Sequence, residues 1–248
     1  MQKCTLIFVH PLPSEAFLAE AYKNNDKSVL PDDNFVDVRS SSHFSVGDLW
    51  VLNHLRHSRT LGNLLDIGSA NTNLLSRIKA LGWDLTVVEP SKNAVKLSRA
   101  GDINICRNTL ENGRFDRTFD VISAIDVLEL VHNPCEFLKK AMSLLSVNGI
   151  VLLRFPNSYS LRCRFERDRW SMIRPLGHLH FFSPKSFRIA CRSSGLKILH
   201  MESHDLINYA SLRIFGVTIR GIRYLRPVTW WFNKKLLGDQ LLATLTRP

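Results

Sequence analysis

Short apolar runs alternate with amphipathic stretches along most of the chain, and this alternation constrains the fold more than any other feature. The runs predict strands at residues 64–68, 84–90, 103–106, 119–125, 149–155, 196–201 and 239–246. Apolar residues recur at helical spacing between them, over residues 72–81, 91–101, 134–145 and 183–194. Short connections between strand and helix are typical of β-α-β units. The sequence therefore predicts an α/β fold whose seven-stranded, mostly parallel sheet carries helices on both faces.

The chain divides into four segments by composition. Residues 1–45 mix Pro, Asn, Asp and Ser with short apolar pieces, which predicts an irregular extension containing a helix at residues 14–23. Residues 46–205 open with a predicted helix over 46–61 and hold the alternating core. Residues 206–237 form a basic insertion, and residues 238–248 return to the core with its last strand.

Charge is unevenly distributed along the chain. The sequence has 33 basic and 22 acidic side chains, net +11, yet residues 154–248 hold 17 of the basic and only 5 of the acidic ones. A basic region predicts an anionic partner, such as a phosphorylated substrate, a nucleic acid or a membrane surface, or else a solvated basic face. The five cysteines are scattered and form no Cys-x-x-Cys pair, which favours a reducing cytoplasm over a disulfide framework.

Two strand ends carry the signature of a nucleoside site. The first strand ends in Asp66-Ile-Gly-Ser-Ala-Asn-Thr72 and runs directly into a helix, and its small residues allow a ligand to approach the backbone. The second strand ends about 20 residues later in Glu89, whose carboxylate can accept hydrogen bonds from both ribose hydroxyls. Together these features predict a nucleoside-containing cofactor at the carboxyl end of the sheet.

The order of these segments resembles the class I S-adenosylmethionine-dependent methyltransferases, which have a Rossmann-like sheet. The turn after Asp66 resembles their glycine-rich motif I, and Glu89-Pro90 resembles their motif II. Phe119-Asp-Val-Ile, Asp126-Val-Leu-Glu-Leu-Val-His-Asn-Pro134 and Leu144-Leu-Ser-Val-Asn-Gly-Ile-Val-Leu-Leu152 resemble the regions of their fourth and fifth strands. His178-Leu-His-Phe-Phe-Ser-Pro184 resembles the branch that modifies small molecules, quinone precursors and surface glycans. The resemblance covers residues 61–201 and the last strand.

The resemblance implies S-adenosyl-L-methionine as cofactor and assigns it a set of residues. Asp66 would help to hold its amino group, and Glu89 with Pro90 would bind the ribose. The remaining cofactor contacts would be Asn108 at the adenine, Gly68, Ser69, Ala70 and Asn71 under the methionine portion, and Asp126, Val127 and Leu128 at the methionyl end. The chain departs from the family pattern at Ala70, Thr72 and Leu130, where the family has Gly, Gly and His.

Candidate acceptor residues follow the fifth strand. His178 and His180 are two residues apart, and one of them would deprotonate an acceptor hydroxyl, or both would hold the loop by hydrogen bonds. Trp170 and Arg174 would line the acceptor site or pack the loop. No spacing in the sequence suggests a metal site.

The insertion between Leu206 and Leu237 has six basic residues and no acidic one. On a helical wheel Arg213, Arg220 and Arg223 share one sector, and the cluster Trp230-Trp-Phe232 follows. This pattern predicts an amphipathic helix, either a lid or dimer helix that packs on the sheet or a helix that lies in a membrane interface. An RNA groove ranks last because no recognised RNA-binding module accompanies it.

The predicted function is methyl transfer from S-adenosylmethionine to an oxygen of a small anionic or lipid-linked acceptor: a glycan, a nucleotide sugar or a quinone-like precursor. A catalytically degenerate relative that acts as a scaffold at a membrane surface is the second hypothesis, motivated by Ala70, Thr72 and Leu130. An RNA methyltransferase is the third. The expected location is the cytoplasm, with peripheral contact at the inner face of the membrane, and the oligomeric state stays open.

Overall fold

A computed structural model of the chain describes residues 4–24, 44–58, 60–68, 72–91, 103–174, 176–204, 211–214, 217–220, 231 and 233–248, with the backbone alone for 22, 23, 72, 211–214 and 217–220. Its strands are β1 (Ile7–Phe8), β2 (Asn63–Ile67), β3 (Asp84–Val88), β4 (Asn104–Cys106), β5 (Phe119–Ile125), β6 (Leu145–Pro156), β7 (His180–Phe181), β8 (Lys197–His204), β9 (Ser211–Ile214), β10 (Val217–Arg220) and β11 (Gln240–Thr246). Its α-helices are Glu15–Asn24, Val46–Arg56, Thr72–Ala80, Pro134–Leu144, Leu161–Glu166 and Pro184–Ser193, and Arg167–Arg169 forms a 3-10 turn.

The main sheet has seven strands in the order β4-β3-β2-β5-β6-β11-β8. Neighbours from β4 to β6 are parallel, and β11 runs antiparallel to both β6 and β8. The predicted seven-stranded, mostly parallel sheet is confirmed. The chain winds away from β2 through β3 and β4, then returns beside β2 with β5, so the strand order reverses between β2 and β5.

Buried apolar side chains cover both faces of the sheet, because β-strand residues alternate between faces. Leu65 and Ile67 of β2 belong to a cluster with the helices Pro134–Leu144 and Pro184–Ser193. Leu64 belongs to a second cluster with the helices Val46–Arg56 and Thr72–Ala80. The prediction of helices on both faces is thus confirmed.

Local capping explains where several helices begin. Ser45 and Asp48 form a reciprocal capping box at the helix Val46–Arg56, which ends five residues before the predicted residue 61. Asn133 and Ser183 cap two other helices, and each is followed by proline at the first helical position. The predicted helix 91–101 lies almost entirely outside the described residues.

The prediction of a basic amphipathic helix within residues 206–237 is wrong for the part that the structure describes. Residues Ser211–Ile214 and Val217–Arg220 form the antiparallel pair β9–β10, whose register places Thr218 opposite Arg213. Apolar and polar residues alternate here with a period of two, and four of the eight residues are β-branched, which favours strand over helix. The helical wheel therefore used the wrong period. Arg223, Trp230 and Phe232 lie outside the described residues.

The irregular extension pairs with the core through a strand that the sequence did not predict. Ile7 and Phe8 in β1 pair antiparallel with Phe181 and His180 in β7, and Val9 N–H donates to the Leu179 carbonyl at 3.0 Å. Strands of two residues have no readable periodicity. The helix Glu15–Asn24 agrees with the predicted one, and its Leu18 packs on Leu179.

Candidate functional site

The carboxyl ends of β2 and β5 lie side by side at the point where the strand order reverses. In open parallel sheets this crevice is the place where ligands bind. The described residues that follow these strands, together with those after β3 and β6, supply most of the side chains singled out from the sequence. The structure therefore brings the predicted cofactor residues that it describes to one edge of the sheet.

Gly68 ends β2 in a conformation that requires glycine. Its φ is +71°, and its N–H donates to the Val88 carbonyl at 2.8 Å. A Cβ added at this position would lie 2.6 Å from Cγ2 of Val127. A side chain would thus collide with the segment after β5, so the tight turn keeps the backbone bare beside the crevice. Ser69, Ala70 and Asn71 lie outside the described residues.

Asp66 is buried one strand position before this turn. It is 3% exposed, and its Oδ1 accepts a 2.5 Å hydrogen bond from the Ser123 hydroxyl on the neighbouring β5. A charge-assisted hydrogen bond of this kind stabilises a buried carboxylate and fixes its orientation. Asp66 therefore acts from a rigid position directly beneath the turn.

Glu89 follows β3 at the same edge and is 8% exposed. Its N–H donates to the Cys106 carbonyl at 3.1 Å, and its Oε1 accepts from the Ser91 N–H at 2.8 Å. Burial raises the pKa of Glu89 above its ordinary value, and the hydrogen bonds with Ser91 partly oppose this rise. Pro90 is half-buried beside it. The Ser91 N–H thus holds the carboxyl in place at the edge of the sheet where the sequence predicts a ribose.

Asn108, which is predicted to lie at the adenine, takes part in a local turn. It is exposed, its Oδ1 accepts from the Thr109 N–H at 2.9 Å, and its Nδ2 donates to the Asn112 carbonyl at 3.3 Å. These bonds form a local turn after β4. Within the described part of the chain, they do not connect Asn108 to the other predicted cofactor residues.

The segment after β5 turns sharply toward the glycine turn. Asp126 has φ +57°, its N–H donates to the Arg154 carbonyl at 2.9 Å, and its Oδ2 lies 3.4 Å from Arg154 Nη1. Val127 faces Gly68. Leu128 is fully buried in the core, so its side chain serves packing while its two predecessors line the crevice.

Glu129, the next residue, was missed as a site residue in the sequence. It is 1% exposed, and its carbonyl accepts from the N–H groups of Leu179 at 2.7 Å and His180 at 3.2 Å. Neither carboxyl oxygen accepts a hydrogen bond from another described residue. Burial, and secondarily the charge of Asp126, raise the pKa of Glu129 well above its ordinary value. No local sequence pattern predicts the burial of Glu129, because the loop that binds its carbonyl lies about fifty residues further along the chain.

The two predicted catalytic histidines are both buried but have different surroundings. His178 Nδ1 lies 2.8 Å from the Met172 carbonyl, which only accepts, so Nδ1 donates and Nε2 holds the lone pair. Burial lowers the pKa of His178, and Arg174 adds to the shift. Burial lowers the pKa of His180 to about 4, with His132 contributing. Both rings are therefore neutral at pH 7.

An apolar cavity of about 320 Å³ lies beyond the carboxyl end of β6. Trp170, buried against Phe181, forms part of its wall. The cavity is lined by Ile7, Phe8, Val9, His10, Ser158, Cys163, Trp170, Ile173 and Phe181. Arg174 lies next to this wall, and its carbonyl accepts from the His178 N–H at 2.7 Å. The structure thus brings Trp170, Arg174 and His178 together, although Arg174 is not itself a lining residue.

Comparison with known proteins agrees with this geometry. A family model described as "Methyltransferase domain" matches residues 48–201. The chain belongs to this methyltransferase family. The methyltransferase is also similar to 1,6-didemethyltoxoflavin-N1-methyltransferase of Burkholderia thailandensis, solved with its substrate and S-adenosylhomocysteine, at TM-score 0.61 and 14% identity over 98% of this chain and 94% of that one. An S-adenosylmethionine-dependent methyltransferase of Mesorhizobium loti gives TM-score 0.57 at 15% identity, over 82% of this chain and 99% of that one.

A curated relative is more similar in sequence over a shorter stretch. The mitochondrial ubiquinone biosynthesis O-methyltransferase of Schizosaccharomyces pombe is 28% identical over 99 residues, which are 36% of each chain. The methyltransferase therefore matches about a third of the length of this relative. The prediction of a class I S-adenosylmethionine-dependent methyltransferase is confirmed, and S-adenosyl-L-methionine is its cofactor.

The residues present fit this cofactor. The bare backbone at Gly68 is a cradle that a Cβ would fill, and Asp66 on the same strand and Glu89 after the neighbouring β3 are rigid acceptors near it. Among the described residues, no group of three or more His, Cys, Asp or Glu side chains is arranged to hold a metal ion.

Proposed function

We propose that this methyltransferase methylates an oxygen atom of a small acceptor that has an apolar portion and a negative charge. When bound, S-adenosylmethionine supplies an electrophilic methyl group. Asp66, Gly68 and Glu89 would hold it, and alignment with the acceptor matters more for such a displacement than strong acid catalysis. The observation that carries the proposal is the apolar cavity, whose lining residue Phe181 has its ring centroid 6.3 Å from that of His178.

The cavity supports an acceptor with an apolar portion. Its volume, about 320 Å³, is at the small end of the range for ligand pockets. Trp170 and Phe181 offer ring faces, while Ile173 at the rim is 39% exposed. A planar ring or the first part of a lipid chain would displace water from these surfaces.

His178 supports oxygen as the atom that is methylated. A hydroxyl must lose its proton as the new C–O bond forms, and a neutral imidazole with a free lone pair can accept it. The hydrogen bond from Nδ1 to Met172 orients the ring and leaves Nε2 for this task. The Schizosaccharomyces pombe relative is itself named an O-methyltransferase, which agrees with this assignment.

Arg174 supports a negatively charged acceptor. Its guanidinium is close enough to His178 to lower the pKa of that imidazole, so its positive charge acts within the proposed acceptor site. Arginine binds carboxylate and phosphate groups well because its donors form a planar fork. A lipid-linked phosphate, a nucleotide sugar or an acidic quinone precursor would supply a negative charge that pairs with the Arg174 guanidinium.

A turnover assay tests the acceptor site. Phenolic carboxylates such as dihydroxybenzoate, and the amine analogues of the same rings, serve as probes, and S-adenosylhomocysteine formation is measured. We expect methylation of the hydroxyl compounds and none of the amines. The variant Ile173→Asp should raise the acceptor KM at least about tenfold, because it places a charge in the apolar wall. Leu199→Asp, at an exposed apolar site on β8, is the matched control.

The variant His178→Gln tests the proposed base. We expect kcat to fall about 100-fold or more, which is typical of a lost general base, with little change in acceptor KM. A similar fall for His180→Gln with normal turnover by His178→Gln would reverse the assignment. Amine methylation in place of hydroxyl methylation would refute the oxygen acceptor.

Residues 206–237 are also proposed to contact an anionic membrane. Trp231 is 51% exposed, and Lys235 Nζ lies 5.8 Å above its ring. Among the described residues, no helix is long and apolar enough to cross a membrane. Flotation with vesicles that contain phosphatidylglycerol tests the contact: it should be lost when Trp230, Trp231 and Phe232 are changed to Ser, and unchanged flotation would exclude it.

A further inference from the structure

The methyltransferase contains a buried acidic group whose carboxyl oxygens accept no hydrogen bond from another described residue. Glu129 is 1% exposed, and both of its carboxyl oxygens lack a hydrogen bond from any other described residue. Buried polar side chains almost always have a partner. Burial and the charge of Asp126 favour the protonated form of Glu129, and they outweigh its own N–H and the charge of Arg154, which favour the ionised form.

Glu129 lies next to the cofactor turn and is held there firmly. Two residues earlier, Val127 occupies the space that a Cβ of Gly68 would need. The carbonyl of Glu129 itself accepts the N–H groups of Leu179 and His180. The backbone of Glu129 is therefore fixed to the loop that carries the proposed acceptor site, two residues after the side chain that abuts the glycine turn.

The charges around Glu129 leave one negative charge uncompensated. The titratable groups of the segments packed around it are Asp126 and His132 on its own segment, Arg154 on β6, and His178 and His180 on the loop that its carbonyl binds. Asp126 pairs with Arg154 at 3.4 Å, and His132 Nδ1 lies 3.2 Å from Glu15. His178 and His180 stay neutral at pH 7 because burial lowers the pKa of each. An ionised Glu129 would thus give the group Asp126, Glu129 and Arg154 a net charge of −1.

We propose that Glu129 is the counter-charge of the bound cofactor and that it loses its proton when S-adenosylmethionine binds. This cofactor has an ammonium, a carboxylate and a sulfonium group, so its net charge is +1, whereas S-adenosylhomocysteine lacks the sulfonium and is neutral. The net charge of −1 on the group around Glu129 therefore balances the positive charge of the methyl donor, whereas the neutral demethylated product has no net charge to balance. This difference favours replacement of the product by fresh cofactor. The inference rests on the proposed cofactor position beside Gly68.

Calorimetric titration tests the proposal without any acceptor. The wild-type protein is titrated at pH 7 with each ligand, in two buffers of different ionisation enthalpy, which gives the number of protons released. We expect about 0.5–1 proton per S-adenosylmethionine bound and none per S-adenosylhomocysteine. The isosteric, neutral variant Glu129→Gln should lose this release and bind S-adenosylmethionine about tenfold more weakly, with S-adenosylhomocysteine within about twofold of wild type.

Glu136→Gln is the matched control, because Glu136 is exposed on the following helix. It should behave as wild type toward both ligands. An equal loss of affinity for both ligands in Glu129→Gln would indicate a structural role and overturn the proposal. Normal wild-type binding without proton release would overturn this inference alone. No binding of either ligand by folded wild-type protein would overturn the proposed function as well. The proton count uses wild-type protein, so the test stands even if the variant does not fold.

Discussion

Replacing Gly68 by alanine gives a prediction whose size follows from the structure. A residue with a Cβ at φ +71° incurs about 1–2 kcal/mol in the left-handed region. The new Cβ would also lie 2.6 Å from Val127 Cγ2, roughly 1 Å inside normal contact. Overpacking of this kind costs about 1–3 kcal/mol. We expect Gly68→Ala to lower the free energy of unfolding, measured by urea denaturation, by about 2–5 kcal/mol and to abolish S-adenosylmethionine binding.

A double-mutant cycle separates the two contributions. Val127→Ala removes the colliding methyl group, so it should destabilise Gly68→Ala less than it destabilises wild type, with a coupling of about 1–3 kcal/mol. The cost of about 1–2 kcal/mol for a Cβ at positive φ should remain in the double variant. Additive effects of the two changes, or wild-type stability and cofactor affinity in Gly68→Ala, would refute the reasoning.

Gly82→Ala is the matched control for this experiment. Gly82 also has a positive φ, +89°, and its added Cβ would lie 2.9 Å from Leu61 Cδ1. It precedes β3, at the opposite end of the strands from the cofactor crevice. The variant should lose stability of a similar order and keep its affinity for S-adenosylmethionine within about twofold.

Three further predictions concern buried polar groups and a helix cap. Ser123→Ala removes the donor to Asp66 and should lower the free energy of unfolding by about 1–3 kcal/mol in urea, where an unchanged value would contradict the account. Burial raises the pKa of Glu89, so the ionised carboxyl destabilises the folded state. Glu89→Gln should therefore raise the melting temperature near pH 7, although it weakens cofactor binding. The gain in melting temperature should vanish below about pH 4, where the wild-type carboxyl is protonated in both the folded and the unfolded protein. Ser45→Ala removes a capping box and should lower the free energy of unfolding by about 1 kcal/mol.

The sequence predicted the sheet well because its strands carry strong apolar runs with clear ends. β5 has the predicted bounds, Phe119–Ile125. The bounds of β6 were less accurate: it was expected from residue 149 but begins at Leu145, directly after a helix. Its register with β5 shifts between Phe119 and Val121, so residues 146–149 do not follow the apolar pattern. Irregular pairing of this kind leaves no periodic signal.

The candidate site was predicted where the chemistry is local and missed where it depends on the fold. Asp66, Gly68 and Glu89 stand at strand ends, which sequence patterns locate. Glu129 is buried by a loop near His180, and its environment follows from tertiary contacts alone. The helix predicted through Arg213 failed because an amphipathic pattern over few residues fits a period of 3.6 as readily as one of two.

The most direct test of this account is a calorimetric titration of the wild-type protein with S-adenosylmethionine, beside Asp66→Ala and Glu89→Ala. Asp116→Ala, whose side chain is 95% exposed, serves as control. We predict one site per chain with micromolar affinity, weakened at least about tenfold by both site substitutions and unaltered by the control. Failure of the folded wild-type protein to bind near millimolar cofactor, or equal binding by all four proteins, would contradict a cofactor site at the carboxyl ends of β2 and β3.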